Sequence, residues 1–227
     1  MELKRKSAFI TRRLKPESTF RQILERKGIR VSGQSLIRFE AVPFQSMPDV
    51  DWVFFYSPRA VHFFFQQLPE NPVKSLRFGA VGRATARALE TVGCTTTNFV
   101  GTGEPQSTAS AFLKVAAGQR VLFPQARHSR QSVQQLLAGA IQGYSLVVYD
   151  NIPVKTVAPS PAEVLVFTSP LNARTYLKAC DVLPGQRVIA IGQPTAEACR
   201  SAGASPYAAA APDEAALAEA VLRCIEK

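Results

Sequence analysis

Leu165 to Gly203 reads LVFTSPLNARTYLKACDVLPGQRVIAIGQPTAEACRSAG and holds two strand-to-helix turns in succession. Val164 to Phe167 is a short apolar run, the length of one buried strand. Thr168-Ser169-Pro170 stops it. The Ser169 hydroxyl suits a helix cap, and Pro170 suits the first helical position, where no amide donor is required. Val188 to Ile191 is a second apolar run. Gly192-Gln193-Pro194-Thr195 turns it into another helix, which Gly203 closes.

The same arrangement occurs earlier. Val53 to Leu68 reads VFFYSPRAVHFFFQQL, and Ala80 to Gly93 reads AVGRATARALETVG. Ser57-Pro58 falls where Ser169-Pro170 falls, and Gly82-x-x-Thr85 falls where Gly192-x-x-Thr195 falls. The Ser-to-Gly spacing is 25 residues in the first copy and 23 in the second, and 80–93 aligned with 190–203 gives 6 identities in 14 positions. Two readings stand. Either the chain holds two similar α/β halves, each offering helix N-termini at its strand ends, or these are ordinary βα turns that share residue types for physical reasons.

Outward from these turns, strands alternate with helices. Ala8 to Thr11 reads as a strand with Arg12-Arg13 at its end, Glu17 to Lys27 as a helix closed by Gly28, and Val31 to Phe39 as extended. Residues 40–50 carry Pro43 and Pro48 and read as linker. Trp52 to Tyr56, Phe78 to Val81, Thr97 to Val100, Arg120 to Phe123 and Ser145 to Tyr149 read as strands, and Asp150 to Val157 stays extended. Phe63-Phe64-Phe65 reads as helix-to-sheet core. Gln106-Ser107 is expected to open a helix, Ala208 to Ala211 to form a weak strand, and Asp213 to Ile225 a closing helix. Such alternation argues parallel sheets with right-handed crossovers. The expected layout is one domain from 1–39 plus 154–227 and an inserted one from 43–148. Residues 39–43 and 149–154 would form a two-stranded connector, with a cleft between the domains. Ligands of open α/β sheets bind off the strand carboxyl ends.

At 227 residues and 46% hydrophobic content a packed core is available, and no run reaches the length of a membrane span. The start, MELKRKSAFITRR, lacks the apolar segment of a signal peptide. Cys94, Cys180, Cys199 and Cys224 form no CxxC pair and read as buried free thiols, which fits a reducing cytoplasm. The net charge of +10 calls for an anionic partner or is simply a basic surface. Lysine runs interleaved with aromatics are missing, which lowers a nucleic-acid reading.

The usual catalytic machinery is also missing. His62 lies mid-helix in an apolar run and is expected to pack, whereas His128 sits in a basic loop with Arg127 and Arg130 and can touch an anion. There is no metal-ligand cluster, no GxSxG elbow and no full GxGxxG, although Gly101-Thr102-Gly103 follows a strand. Hydroxyls, arginines and helix N-terminal amides remain, and these suit carboxylates or phosphates. Ser57, Thr85, Ser169 and Thr195 are either plain caps or parts of such a site. Tyr149 ends a strand at the domain junction. It is either a proton donor into the cleft or an amphipathic residue at a sheet edge.

The series ITRR at 10–13, FYSPRAV at 55–61, AVGRATARAL at 80–89, LFPQARHSR at 122–130, LVVYDNIPV at 146–154, FTSPLNARTYL at 167–177 and AIGQPTAEACRSAG at 190–203 resembles the uroporphyrinogen-III synthase family in its order. The resemblance implies two flavodoxin-like parallel-sheet α/β domains joined by a two-stranded connector, the second inserted in the first. It implies a cofactor-free lyase that cyclises hydroxymethylbilane, a linear tetrapyrrole polycarboxylate, to uroporphyrinogen III with loss of water and inversion of ring D. It also implies a cytoplasmic monomer in possible transient contact with the preceding pathway enzyme, with no nucleic-acid or membrane partner. Tyr149 matches the connector tyrosine that assists hydroxyl departure. The substrate-binding candidates that follow are Thr11, Arg12, Ser57, Gly82, Arg83, Thr85, Arg127, Arg130, Thr168, Ser169, Gln193, Pro194 and Thr195. Asp150 departs from the arginine common after that tyrosine. The alternative from a different class is a non-catalytic two-domain binder of a small polyanion.

Overall fold

A computed structural model describes residues 6–68, 76–94 and 96–225. The chain divides into two compact units, Met1–Arg38 with Ile152–Lys227, and Phe39–Asn151.

In the first unit, β1 (Ser7–Ile10) leads through α1 (Thr19–Arg26) to β2 (Arg30–Gly33). The chain returns as β9 (Val164–Phe167), α6 (Pro170–Ala179), β10 (Arg187–Ala190), α7 (Gln193–Ser201), β11 (Pro206–Ala208) and α8 (Glu214–Ile225). The sheet order is β11-β10-β9-β1-β2, and its pairs are parallel. Numbered within the unit this is the flavodoxin order 2-1-3-4-5. All four β9 residues are buried because helices cover both faces, which explains why this strand reads as a continuous apolar run. Ala8, Ile10, Val164 and Val166 meet Phe20 and Leu24 of α1 and Leu217 and Val221 of α8. Phe9, Leu165 and Phe167 meet Tyr176 of α6 and Cys199 of α7 on the other face.

The second unit runs β3 (Ile37–Ala41), β4 (Trp52–Phe55), α2 (Pro58–Phe65), β5 (Arg77–Ala80), α3 (Arg83–Thr91), β6 (Phe99–Val100), α4 (Pro105–Ala116), β7 (Arg120–Ala126), α5 (Ser132–Leu136) and β8 (Gln142–Pro153). Its sheet order is β3-β8-β7-β4-β5-β6. Val53, Phe55 and Phe78 face α2 and α3. Trp52, Phe54 and Phe123 face α4 and α5. Phe54 is the hub of that second layer, with ring centroids of Phe112 at 4.8 Å and Phe123 at 5.7 Å. Phe64 is fully buried and Phe63 and Phe65 pack against the core, so the aromatic triplet is packing, as expected.

Read cyclically, the two sheets are one arrangement. β4-α2-β5-α3-β6-α4-β7-α5-β8 corresponds in order and sheet position to β9-α6-β10-α7-β11-α8-β1-α1-β2. The second unit is thus a circular permutant of the first. The chain crosses between units on β3 and β8, neighbours in the sheet. Their pairing is antiparallel: Val154 N–H donates to Leu36 C=O at 2.9 Å and Val42 N–H to Val148 C=O at 3.0 Å, rising along one strand and falling along the other.

Several local expectations change: the weak strand β11 is Pro206–Ala208 rather than Ala208 to Ala211, and β6 begins at Phe99 rather than Thr97. The extended stretch 31–39 is two strands broken at Gln34–Leu36. β8 starts at Gln142, before the apolar run, because Arg120 to Leu122 supply it with parallel partners. His62 does not pack into the core; it is exposed, its ring edge against Phe63 at 5.4 Å. The four cysteines are free and buried, and burial pushes the Cys199 thiol up to about 11.

Glu214 joins α8 to α1. Its carboxylate accepts from Ser18 Oγ at 2.8 Å and Phe20 N–H at 3.2 Å, and pairs with Arg12 Nη1 at 3.1 Å. Burial raises its pKa, but the Ser18 and Phe20 hydrogen bonds and the Arg12 charge outweigh that and hold it below the ordinary glutamate value. A depressed carboxyl stabilises the fold above its unfolded pKa and loses that contribution as pH falls through the folded value. Glu214→Gln is therefore expected to lower stability at neutral pH by about 1–2 kcal/mol. It should also flatten the stability loss below about pH 4.5, in urea titrations at a series of pH values.

Candidate active site

Each unit gathers its candidates at the carboxyl ends of neighbouring strands. The helices that follow two of these strands begin alike in both units. Ser57 has φ −158° and ψ 154°, and its Oγ accepts from Ala60 N–H at 3.2 Å. Ser169 has φ −162° and ψ 157°, and its Oγ accepts from Asn172 N–H at 3.1 Å. Both hydroxyls are helix caps, and Ser169 also takes Asn172 Nδ2 at 3.0 Å. Gly82 and Gly192 start α3 and α7 without a side-chain cap. In α3 this leaves the Arg83 and Ala84 amide hydrogens open to an anion, and in α7 the Gln193 amide hydrogen, since Pro194 has none and the Thr85 and Thr195 N–H groups donate to Gly82 O and Gly192 O at 3.1 Å.

The halves differ at those glycines. A Cβ on Gly192 meets nothing within 4 Å, whereas one on Gly82 comes within 3.3 Å of Gly103 Cα. Gly101 is tighter still, since a Cβ there comes within 2.5 Å of Thr108 Cγ2 and 2.7 Å of Val81 O. The Gly101–Gly103 loop thus closes against the α3 N-terminus. Between them lies an open hollow of about 780 Å³ lined by Gly82, Arg83, Thr85 and Thr102. Arg83 is exposed at its rim, while Thr85 is 2% exposed and faces inward. Thr195 is likewise 2% exposed, and Gln193 and Pro194 are exposed.

In the first unit the crevice lies between β1 and β9, where crossovers leave on opposite faces. Thr11 and Thr168 close it at its base. Thr168 N–H donates to Thr11 Oγ1 at 3.0 Å, and Thr168 Oγ1 donates to Thr11 O at 2.9 Å. Thr11 is fully buried, so its hydroxyl braces two strand ends and does not face solvent. Arg12, beside it, is held by Glu214 yet keeps 41% of its side chain exposed.

In the second unit the corresponding crevice lies between β4 and β7. These strands pair only at Trp52↔Val121 and Val53↔Leu122, then part. Arg127 stands at the end of β7. Its N–H donates to Tyr149 O at 3.0 Å, and its Nε sits 2.8 Å from Asp150 Oδ2. Asp150 therefore does not leave this spot without a cation; Arg127 supplies one. A register shift opposite Gln125/Ala126 pairs Ala126 with Tyr149 across one skipped residue. The Tyr149 ring stacks on Phe63 at 5.3 Å and lies edge-on to Phe39 at 6.2 Å, and the residue is 7% exposed. The Arg59 guanidinium covers Phe39 at 3.4 Å. Arg130 and His128 are exposed in the turn after β7.

Three residues here drew no role from the sequence. Gln125 is 3% exposed at the end of β7, and its Oε1 has no partner among the described residues. A polar residue between Phe123 and Ala126 in a buried strand is the signal that could have found it. The Tyr56 hydroxyl accepts from Gln134 N–H at 3.0 Å at the start of α5, and burial pushes its phenol up despite that bond. Arg59 could be found only through the fold, since nothing local links it to Phe39.

The family model described as uroporphyrinogen-III synthase HemD matches residues 18–219. No curated protein matches the sequence. Among solved structures, the chain is similar to uroporphyrinogen-III synthetase from Helicobacter pylori, with TM-score 0.69 and 21% identity over 96% of this chain and 99% of that one. It is also similar to a mutant uroporphyrinogen III synthase from the extremely thermophilic bacterium Thermus thermophilus, with TM-score 0.52 and 17% identity over 97% of this chain and 99% of that one. These two likenesses concern the fold.

Proposed function

The chain belongs to the uroporphyrinogen-III synthase family of cyclising lyases in haem biosynthesis, and we propose how its own residues serve the closure of hydroxymethylbilane with loss of water and inversion of ring D. Residues 1–39 with 154–227 and residues 43–148 act as two domains on a connector of 39–43 and 149–154. The observation that carries the reading is the pair of uncapped helix starts at Gly82 and Gly192. Backbone amides at such ends hold carboxylates through hydrogen bonds and the helix dipole. Gly82, Arg83 and Thr85 form one set, and Gln193, Pro194 and Thr195 form the other. Ser57, Thr168 and Ser169 fix the adjoining turns, and Thr11 braces the strand ends beneath Thr168.

The chemistry asks little of the protein. A pyrrole nitrogen of the substrate expels the hydroxyl, and the open chain closes unaided to the wrong isomer through direct attack. Holding the carboxylates so that ring D closes through a spiro intermediate is the main task. Arg12, Arg127 and Arg130 add cationic contacts for a polyacid, in keeping with the net charge of +10. Tyr149 donates a proton to the departing hydroxyl. Its ring is held by Phe63 and Phe39, and no hydrogen bond to its hydroxyl is present among the described residues. Orientation by packing rather than by a polar partner leaves that hydroxyl for the substrate.

The same proposal has the protein working as a cytoplasmic monomer that receives its substrate by transient contact with the enzyme before it, with no nucleic-acid or membrane partner. Four free, buried cysteines suit a reducing compartment, and among the described residues no helix is long and apolar enough to cross a membrane.

Hydroxymethylbilane supplied to the protein should yield the type III isomer, separated by chromatography after oxidation; the type I isomer alone would end the reading. Tyr149→Phe is expected to lower turnover by about 10-fold or more with little change in KM, and an unchanged rate would remove the proton-donor role. Gly192→Asp places a carboxylate beside the Gln193 and Thr195 amides, where its Cβ meets no atom within 4 Å. It should leave Tm unchanged or higher, as a helix cap does, and raise KM by about 10-fold by displacing a substrate carboxylate. An unaltered KM would take α7 out of the binding set.

A further inference from the structure

Side chains in the second unit alternate between its two layers along β4 and β7. On β4, Val53 and Phe55 face α2 and α3, while Trp52 and Phe54 face α4 and α5. On β7, Leu122 faces the first layer, and Val121 and Phe123 face the second. β8 breaks the rule. Leu146, Val148 and Tyr149 all pack in the α2–α3 layer, although Val148 and Tyr149 are adjacent in the chain. Strict alternation would send Tyr149 to the opposite face. The skipped residue supplies the difference. Gln125 pairs with Val147 and Ala126 with Tyr149, so Val148 is the extra residue of a β-bulge. The bulge turns the tyrosine onto the face where its ring stacks on Phe63.

Gln67, just past the end of α2, holds that bulge. Its Nε2 donates to Val148 C=O at 3.3 Å and to Phe63 C=O at 2.8 Å. Both acceptors are carbonyls, so the amide presents its nitrogen and uses both of its hydrogens. One side chain thus ties the turn that carries Phe63 to the residue before Tyr149, and these are the backbones that carry the stacked rings. Val42 N–H reaches the same Val148 carbonyl from beside β3 at 3.0 Å, and Arg127 N–H holds the next carbonyl, that of Tyr149, at 3.0 Å. The bond to Phe63 alone would be an ordinary finish to a helix. The bond to Val148, 81 residues away along the chain, is what singles Gln67 out.

We propose that Gln67 is a positioning residue for the closure reaction: by fixing the bulge at Val148 it aims the Tyr149 side chain, and with it the hydroxyl, at the departing group of the substrate. Gln67 acts through Tyr149 and needs no contact with substrate. Aim matters because a proton donor works only within hydrogen-bond reach of the group it serves. The consequence for turnover rests on the proton-donor reading of Tyr149; the direction of the ring does not.

Gln67→Met, Tyr149→Phe and the double variant are to be compared in the full-length chain with hydroxymethylbilane as substrate. NMR spectra of ring-labelled tyrosine give a readout independent of activity, the Tyr149 signals being those lost in Tyr149→Phe. At this half-buried position methionine keeps the length of the side chain but cannot donate. Gln67→Met should displace the Tyr149 ring signals toward those of an unstacked tyrosine. It should also lower kcat by about 5-fold with KM unchanged. In the Tyr149→Phe background the same change should alter kcat by less than about 2-fold, since the group it aims is gone. If Tyr149→Phe by itself leaves the rate intact, the proton-donor role falls, and the ring signals alone decide whether Gln67 aims the tyrosine. The proposal is overturned if Gln67→Met leaves the Tyr149 ring signals in place, if it lowers kcat equally with and without the Tyr149 hydroxyl, or if it spares kcat where Tyr149→Phe does not.

Discussion

A parallel strand that feeds a helix delivers that helix's first amide hydrogens to the carboxyl end of the sheet, and those hydrogens must find acceptors. The two units answer this demand in the same two ways. At Ser57 and Ser169 a hydroxyl supplies the acceptor from within the turn. At Gly82 and Gly192 no side chain of the turn does. The fold therefore creates a need at its strand ends and leaves part of it unmet. Neighbouring groups keep these ends in place: the doubled Thr11–Thr168 contact beneath one set, and the Gly101–Gly103 loop pressed against the other.

The correspondence between the halves is closer in sheet position than in chain order. β9, β10 and β11 occupy the places of β4, β5 and β6, yet they come after β1 and β2 in one unit and their counterparts come before β7 and β8 in the other. An insertion after β2 accounts for the cut. The host chain leaves at the end of one edge strand, and the guest begins and ends on β3 and β8, which lie side by side. The guest's entry and exit thus meet without a long connection. This places the repeated turns on adjacent strands in both units, which is why the spacing between them survives.

Much of this was legible because parallel strands buried on both faces read as unbroken apolar runs, and VFF at 53–55 and VLVF at 164–167 were unmistakable. Ser-Pro and Gly-x-x-Thr marked helix starts because capping and the missing proline amide constrain those positions. What escaped depends on contacts across the sheet. The polar start of β8 is strand only because β7 pairs with it. α4 is capped by Glu104, whose carboxylate accepts from Gln106 and Ser107 N–H at 2.9 and 2.6 Å, ahead of the start that Gln106-Ser107 implied. His62 sits among phenylalanines in sequence, but the helix turns it outward while Val61 and Phe64 turn in. At the site, the hydroxyl of Thr11 reads as available in sequence and is spent on backbone in the fold. The link from Arg127 to Asp150 spans 23 residues and has no local signature.

The broken continuity of the first unit has a bearing on how the polypeptide is made. Phe9 of β1 lies beside Leu165 of β9, so the central strand pair of that sheet joins a segment made before the guest to one made after it. The guest, by contrast, is one uninterrupted stretch from Phe39 to Asn151. It has all of its strands once β8 leaves the ribosome, while β1, α1 and β2 still wait for the larger part of their sheet. Domains fold as units during synthesis, and distant pairings close slowly. The nascent protein therefore passes through a stage in which a finished guest trails an orphaned amino-terminal βαβ segment, and that segment is the part a chaperone would have to shelter.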